Sequence, residues 1–271
     1  MLHSFSATIK RVKTEERRIG LARALSKLGY CSRTRAAEFI RAGRVRLNGA
    51  LRRDPETPVH LQKDRIAVDG ILVESGRKIY LMMNKPRGLV TTSSDEKGRE
   101  TIYSLLRSED ALPWLAPVGR LDKASEGLLL LTNDSEWAAR VTAPETHLEK
   151  TYHVQVARLA DEAVIEAMQR GIATETEILR ARQCRVIRSG EKNSWLEIVL
   201  DEGRNRQIRR MLATLDIEAL RLVRVAIGPL QLGKLEKGSY RALTFDEKFA
   251  LDNAMQSNSR LRRPGSKLPL L

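Results

Sequence analysis

The sequence predicts an α+β protein of two domains. Three observations carry that prediction. The length, 271 residues, suits two domains of ordinary size. Helical and strand-like stretches are mixed without a regular strand–helix–strand beat, which disfavours a doubly wound parallel sheet. The charge is also uneven. Residues 1–76 hold 16 Lys/Arg against 8 Asp/Glu, residues 77–252 hold 28 against 26, and residues 253–271 hold four against none. This division gives a basic tail at 1–18, a compact basic unit at 19–76, a near-neutral body at 77–252 and a basic, disordered tail at 253–271. Pro264, Gly265 and Pro269 fall in that last stretch.

In the first unit, Ile19 to Leu28 carries apolar residues at helical spacing, and Gly29 ends it. Ser32 suits the N-cap of a second helix through Ala36, Ala37, Phe39 and Ile40, stopped by Gly43. Val45-Arg46-Leu47 leads into Asn48-Gly49, and Ile66-Ala67-Val68 leads into Asp69-Gly70. Alternation running into Asn-Gly or Asp-Gly predicts tight hairpins. In the body, Ile79–Met83 and Leu128–Leu131 are short buried-strand runs. Tyr152–Val156 and Trp195–Leu200 alternate as strands, while Asp161–Gln169 and Arg206–Leu215 are helical.

Arg33, Arg35, Arg41 and Arg44 fall on exposed positions of the second helix, with only Glu38 among them. Several guanidiniums on one face suit a phosphate backbone. The plainer alternative is a solvated charged face, but such faces usually interleave both signs. Nucleic-acid contact is therefore expected here.

Composition excludes several classes. A net charge of +14 predicts polyanionic partners and salt-sensitive association. The longest apolar runs fall far short of the ~18 residues of a membrane-spanning helix, so no membrane role is expected. No apolar segment follows the basic N-terminal residues, so a secretory signal is not expected. The Arg-bearing, acid-poor start from Met1 to Val12 suits a short tail better than a transit peptide, and the sparse cysteines predict a reduced cytoplasm. Two distant cysteines, Cys31 and Cys184, rule out a disulfide-rich scaffold and a cysteine-based zinc site. The four histidines show no ligand spacing, so no metal is expected. There is no glycine-rich nucleotide loop and no Ser/His/Asp set.

Two loops concentrate polar groups. One is Gly119-Arg120-Leu121-Asp122-Lys123-Ala124-Ser125-Glu126-Gly127, just before a buried strand. The other is Asp201-Glu202-Gly203-Arg204-Asn205-Arg206-Gln207-Ile208-Arg209-Arg210, between a strand and a helix. Loops on a rigid sheet commonly carry catalytic groups. Asp122, beside Arg120 and Lys123, should stay ionised, and the second loop is a cationic cluster. Most loop aspartates are turn residues or caps. Asp122 and Glu126 are also spaced as an i,i+4 helix pair. From the residues alone the reading stops at an RNA-binding protein with a charged cleft.

Resemblance extends it. The stretch Leu28 to Ile40, followed by Gly43-Arg-Val-Arg-Leu-Asn-Gly49, resembles an S4 domain, a small RNA-binding fold. Arg23 replaces the usual Lys or Asn of the first helix. Gly119 through Asp134 resembles the signature loop of pseudouridine synthases, in the branch that modifies ribosomal RNA and carries an S4 domain, the ribosomal small-subunit synthase family; which subunit's RNA is modified stays open. Asn84-Lys85-Pro86-Arg87-Gly88, Glu149-Lys150-Thr151-Tyr152 and Glu202 through Met211 resemble three further motifs of that family, in order. The resemblance spans residues 19–245. It implies an S4-like unit followed by a mixed, mostly antiparallel-sheet catalytic domain that isomerises uridine to pseudouridine in ribosomal RNA, without cofactor or metal and as a monomer. It assigns Asp122 as the catalytic carboxylate and Tyr152 as the ring stacking on the uracil. Arg204 would pair with Asp122, and Arg120 would fill the place of the flipped base. Three bland alternatives stand beside these: Arg120 orients the loop, Tyr152 is a core strand residue, and Arg204 anchors a phosphate. Lys85, fixed in a turn by Pro86, reads as structural. Two other functions compete. One is an inactive S4-type assembly factor. The other is a glycosidic-bond hydrolase, which would need Glu126 as a second carboxylate in the cleft.

Overall fold

The computed structural model describes residues 18–92, 97–106 and 112–261. The chain divides into two compact units, 1–75 and 76–271. Most of the predicted N-terminal tail lies outside the described residues. Arg18 does not behave as tail: its Nε donates to His60 Nε2 at 2.8 Å.

The first unit begins with a short strand, β1 (Ile19–Gly20), where helix was expected. It pairs with β4 (Pro58–Val59), so helix α1 starts only at Leu21 and runs to Lys27. Helix α2 (Arg33–Arg41) is capped as predicted, Ser32 Oγ accepting from the Arg35 amide at 3.1 Å. Strands β2 (Val45–Leu47) and β3 (Ala50–Arg52) form the first hairpin. Strands β5 (Ile66–Val68) and β6 (Ile71–Leu72) form the second. Asn48-Gly49 and Asp69-Gly70 take positive φ at both residues, 52° and 82°, then 51° and 82°. That is the backbone of a type I′ turn, which matches strand twist. Leu21, Leu25, Ile40, Val45, Val59 and Val68 close the core.

In the second unit a nine-stranded sheet holds everything. Its strands are β7 (Tyr80–Lys85), β8 (Ala116–Val118), β9 (Glu126–Thr132), β10 (Lys150–Val156), β13 (Gln183–Ser189), β14 (Ser194–Leu200), β15 (Ala219–Ile227), β16 (Leu230–Gln231) and β17 (Tyr240–Ala242). The main order is β13-β14-β10-β15-β9-β7-β17, with β16 on β15 and β8 on β9. Every pairing in this sheet is antiparallel except β15 with β9. A separate two-stranded pair joins β11 (Ile172–Ala173) to β12 (Ile178–Leu179). The helices are α3 (Ser135–Thr142), α4 (Glu162–Arg170), α5 (Gln207–Thr214) and α6 (Phe245–Leu261).

The Leu128–Leu131 run forms the middle of β9, which is buried along its whole length. Leu128 and Leu130 face a cluster with Trp137 and Leu251. Leu129 and Leu131 face another with Met83, Ile102 and Leu115. A strand covered on both faces reads as a continuous apolar run instead of an alternation. The expected disorder from residue 253 is corrected, because α6 continues to Leu261, with Leu251 and Met255 buried. Its start is a capping box: Thr244 Oγ1 accepts from the Glu247 amide and Glu247 Oε2 from the Thr244 amide. Residues 262–271 lie outside the described residues.

Gly127, at φ +100°, sits where β9 meets β15. A Cβ there would lie 2.3 Å from the Arg224 carbonyl oxygen. Backbone cannot yield as a side-chain tip can. Gly127→Ala should therefore lower the stability of residues 76–271 by about 3 kcal/mol, roughly 6–12 °C in melting temperature. An unshifted melt would show that the two strands separate freely at this point.

Candidate active site

The loop from Gly119 to Ser125 joins β8 to β9. Below it Lys85, fully buried at the end of β7, donates from Nζ to the carbonyls of Pro86 (3.0 Å), Asp122 (3.2 Å) and Ser125 (2.9 Å). Lys85 is thus structural, as its place before Pro86 suggested. Burial pushes its ammonium down to about 8, partly offset by Asp122 and Glu126. Thr91 Oγ1 donates to the Leu121 carbonyl at 2.7 Å, and the Gly88 amide donates to that of Lys123 at 2.8 Å. With its carbonyls tied down, the loop projects the Asp122 side chain, 32% exposed, into a cavity of about 560 Å³. Arg120 is exposed and also lines it.

The arginine that meets Asp122 is not the one expected. Arg206 Nη1 lies 3.3 Å from Asp122 Oδ2. Arg204 is held elsewhere, its Nε on Glu202 at 2.9 Å and its Nη1 on Glu177. Glu177 also holds Arg210, at 2.7 Å. The separation follows from the backbone. Arg206 takes a left-handed conformation, φ 47°, at the start of α5, which turns it away from the course of its neighbours. Non-glycine residues rarely adopt this conformation, and where they do it often marks a functional position. Arg209, one turn into α5, donates to the Ala124 and Ala219 carbonyls, both at 3.2 Å, and so braces the loop from behind.

The floor of the cavity is the sheet. Lys85, Gly127, Arg224, Tyr152 and Ile198 are register partners across β7, β9, β15, β10 and β14. Tyr152 is half-buried; it lines the cavity and packs on the core at the same time. Lys150, two residues earlier, and Arg224 line the cavity too. Sequence reasoning missed Arg206, Lys150 and Arg224 as site residues. The strand Ala219–Ile227 carries two arginines, Arg221 and Arg224, and nothing in the sequence says which of them faces the cleft.

Glu126 does not form a helix pair with Asp122. It lies in β9 opposite Val223, one register step from the Gly127–Arg224 pair. Successive strand residues face opposite sides, so its carboxylate faces away from the cleft. There it is buried between Arg221 and Lys237. Glu126 is thereby removed as the second cleft carboxylate that the hydrolase reading called for.

In the first unit Arg33, Arg35, Arg41 and Arg44 are all exposed, yet they do not form one stripe. Helix α2 ends at Arg41. At 3.6 residues per turn, Arg33 and Arg41 are about 80° apart and Arg35 is about 160° from Arg33. Arg44 lies beyond Gly43, paired bidentately with Asp69, its guanidinium 4.4 Å from the Phe39 ring centre. Arg35 also lies against that ring, at 5.1 Å. Both cysteines are buried, which pushes their thiols up to about 11 for Cys31 and about 12 for Cys184. Among the described residues no His/Cys/Asp/Glu group could hold a metal, and no helix is long and apolar enough to cross a membrane.

Comparison with known proteins gives the family. The family model for RNA pseudouridylate synthase matches residues 79–214, and the S4 domain model matches residues 19–66. An RNA pseudouridine synthase of Aquifex aeolicus is 38% identical over 232 residues, 85% of this chain and 92% of its own. Ribosomal large subunit pseudouridine synthase B of Bacillus subtilis is 32% identical over 227 residues, 83% of this chain and 91% of its own. A crystal structure of a pseudouridylate synthase superposes with a TM-score of 0.61 at 32% identity, covering 86% of this chain and 99% of that one. The small-subunit branch suggested by the loop is corrected by this: the family agrees, but the Bacillus subtilis relative is named for the large subunit.

Lys85→Met should strand three carbonyls and loosen the loop. We expect a stability loss of about 2 kcal/mol at pH 7 and a larger fractional loss of turnover. The folded value of Lys85, about 8, lies below its ordinary 10.5. Between these values the unfolded chain holds the proton and the folded one does not, so the lysine term rises with pH. The stability gap between wild type and Lys85→Met should widen from pH 8 to 10.5. An unfolding free energy unchanged by Lys85→Met would refute the clamp, and a gap that does not vary with pH would refute the lowered lysine value.

Proposed function

The chain belongs to the RNA pseudouridylate synthase family and is an enzyme that converts uridine to pseudouridine in RNA; from that premise we propose that Asp122 alone does the covalent chemistry, on a uridine flipped out of ribosomal RNA. The observation that carries this reading is the Asp122 carboxylate held between Arg206 and the Lys85-pinned loop, above the same floor as Tyr152.

The reaction breaks the N1–C1′ bond, turns the base and joins C5 to C1′. Nothing is added or removed. The reacting atoms lie inside stacked or paired RNA, so the uridine must be extruded. Tyr152 offers its ring as the platform for the flipped uracil. Arg120, exposed at the cavity, takes the gap that the base leaves in this reading. Asp122 presents its side chain to the cleft beside Arg206. Two routes are open to it, addition to C1′ or removal of the C2′ proton, and either uses one ionised group. Arg204, tied to Glu177 and Glu202, shapes the wall and does not meet Asp122.

Two things support ribosomal RNA as the substrate. The Bacillus subtilis relative is named for it, and an S4 domain precedes the catalytic unit. In that domain Arg33, Arg35 and Arg41 are the proposed phosphate contacts. Arg44 contributes through its hold on Phe39 and Asp69.

Asp122→Asn keeps size and hydrogen bonding and removes the charge. It should abolish pseudouridine formation while RNA affinity stays within about twofold. Mapping pseudouridine in cells with and without the protein should show loss at ribosomal RNA positions; loss confined to other RNAs would overturn the substrate assignment. Removing residues 1–75 should weaken RNA binding and flatten its salt dependence, by roughly 0.7–0.9 in log–log slope for each phosphate no longer neutralised. An unchanged slope would move the anchoring surface to the catalytic unit.

A further inference from the structure

The sheet side of the cleft carries two cations that the chemistry of Asp122 does not use. Arg224 is directly opposite Tyr152 in the β10–β15 register. Such partners present their side chains on one face, about 5 Å apart. Arg224 is only 5% exposed. Its Nε donates to the Leu128 carbonyl at 2.7 Å, and its Nη2 is buried without a partner. Lys150 lies on the same face of β10 as Tyr152, two residues before it, and is half-buried. Burial first, and the charge of Arg224 second, push its ammonium down to about 8; the Asp201 carboxylate partly offsets them. Two mutually repelling cations, one with an unused donor, are costly to hold in a folded protein. They suit a cleft whose ligand becomes negative.

Isomerisation makes such a ligand. When N1–C1′ breaks, the electron pair stays on N1, and the detached uracil is an anion with charge shared over N1, O2 and O4. It rests on Tyr152, beside both cations. We propose that Lys150 and Arg224 form a subsite for the detached uracil anion, Lys150 donating to a ring oxygen and Arg224 supplying a second positive charge beneath it. This subsite holds the base in the cleft while it turns from N1 to C5. When C5 joins C1′, it gives up its proton and N1 takes one, so the product is the neutral isomer. Lys150 is then a catalytic residue, and Arg224 positions and charges the subsite.

The inference rests on the Asp122 cleft being the active site, and its test separates the two. Lys150→Gln and Arg224→Lys are compared with wild type in single-turnover assays at saturating RNA. The target carries either uridine or 5-fluorouridine, whose ring fluorine stabilises the uracil anion, and cleavage of N1–C1′ is followed. Lys150→Gln should slow uridine cleavage about a hundredfold, the scale of one donor aimed at developing charge. RNA affinity should stay within about twofold, and the deficit should shrink at least threefold with 5-fluorouridine. Arg224→Lys should show the same pattern if its melting temperature is retained; if it unfolds, Lys150→Gln carries the test. Equal deficits for the two bases would overturn the proposal. So would weaker RNA binding with a salt slope reduced by one phosphate, which would make Lys150 a phosphate anchor. Failure of the active-site reading itself would look different: Asp122→Asn would cleave both substrates normally.

Discussion

Lys85 commits its ammonium to main-chain oxygens, those of Pro86, Asp122 and Ser125, in a place that solvent does not reach. A buried lysine charge is unfavourable unless it is surrounded by acceptors, and this one recruits them from the loop above it. The loop therefore cannot relax away from β7 without abandoning a charge. Thr91, Gly88 and Arg209 add bonds to the same loop from other directions. A carboxylate on a flexible surface turn would sample many positions. Fixed here, Asp122 meets the cleft in one geometry, which is how positioning contributes to rate.

Charge is sorted around that carboxylate. Glu177 and Glu202 engage Arg204, and Glu177 engages Arg210. Glu126 engages Arg221 and Lys237 on the opposite face of the sheet. Arg206, Lys150 and Arg224 remain toward the cavity with Asp122. The result is the Asp122 carboxylate in a largely cationic surround, with Asp201 and Glu202 at the wall and Glu202 tied to Arg204, a setting suited to a polyanion whose base turns negative in mid-reaction.

What the sequence made legible was local or carried by motifs. Asn48-Gly49 and Asp69-Gly70 announced their hairpins because few residues tolerate both positive φ values. Ser32 announced its helix by capping it. The Asp122 loop was recognisable from its motif, and so was Tyr152. The misses depended on tertiary structure or on a signal passed over. Whether Arg204 or Arg206 faces Asp122 is decided by a left-handed backbone at Arg206, which a spacing of two residues does not reveal. Arg224 joins the site only because β15 lies beside β9, far away in sequence. Helix α6 beyond residue 252 looked polar and disordered, although Leu251 and Met255 anchor it and the Thr244–Glu247 capping box was there to be read. The arginines of α2 were counted correctly, but the turn of the helix spreads them around its circumference.

The parallel pairing of β9 with β15 has a consequence for biosynthesis. Glu126 and Gly127 lie beside Val223 and Arg224, about a hundred residues later in the chain. At ordinary elongation rates that interval lasts about 5–20 s. During it the nascent chain displays its carboxylate loop, while the strand bearing Arg224 and the helix start bearing Arg206 are still being translated. The reactive group is made early and its surroundings late, so the ribosome releases a chain that could not have acted on RNA while most of it was being made.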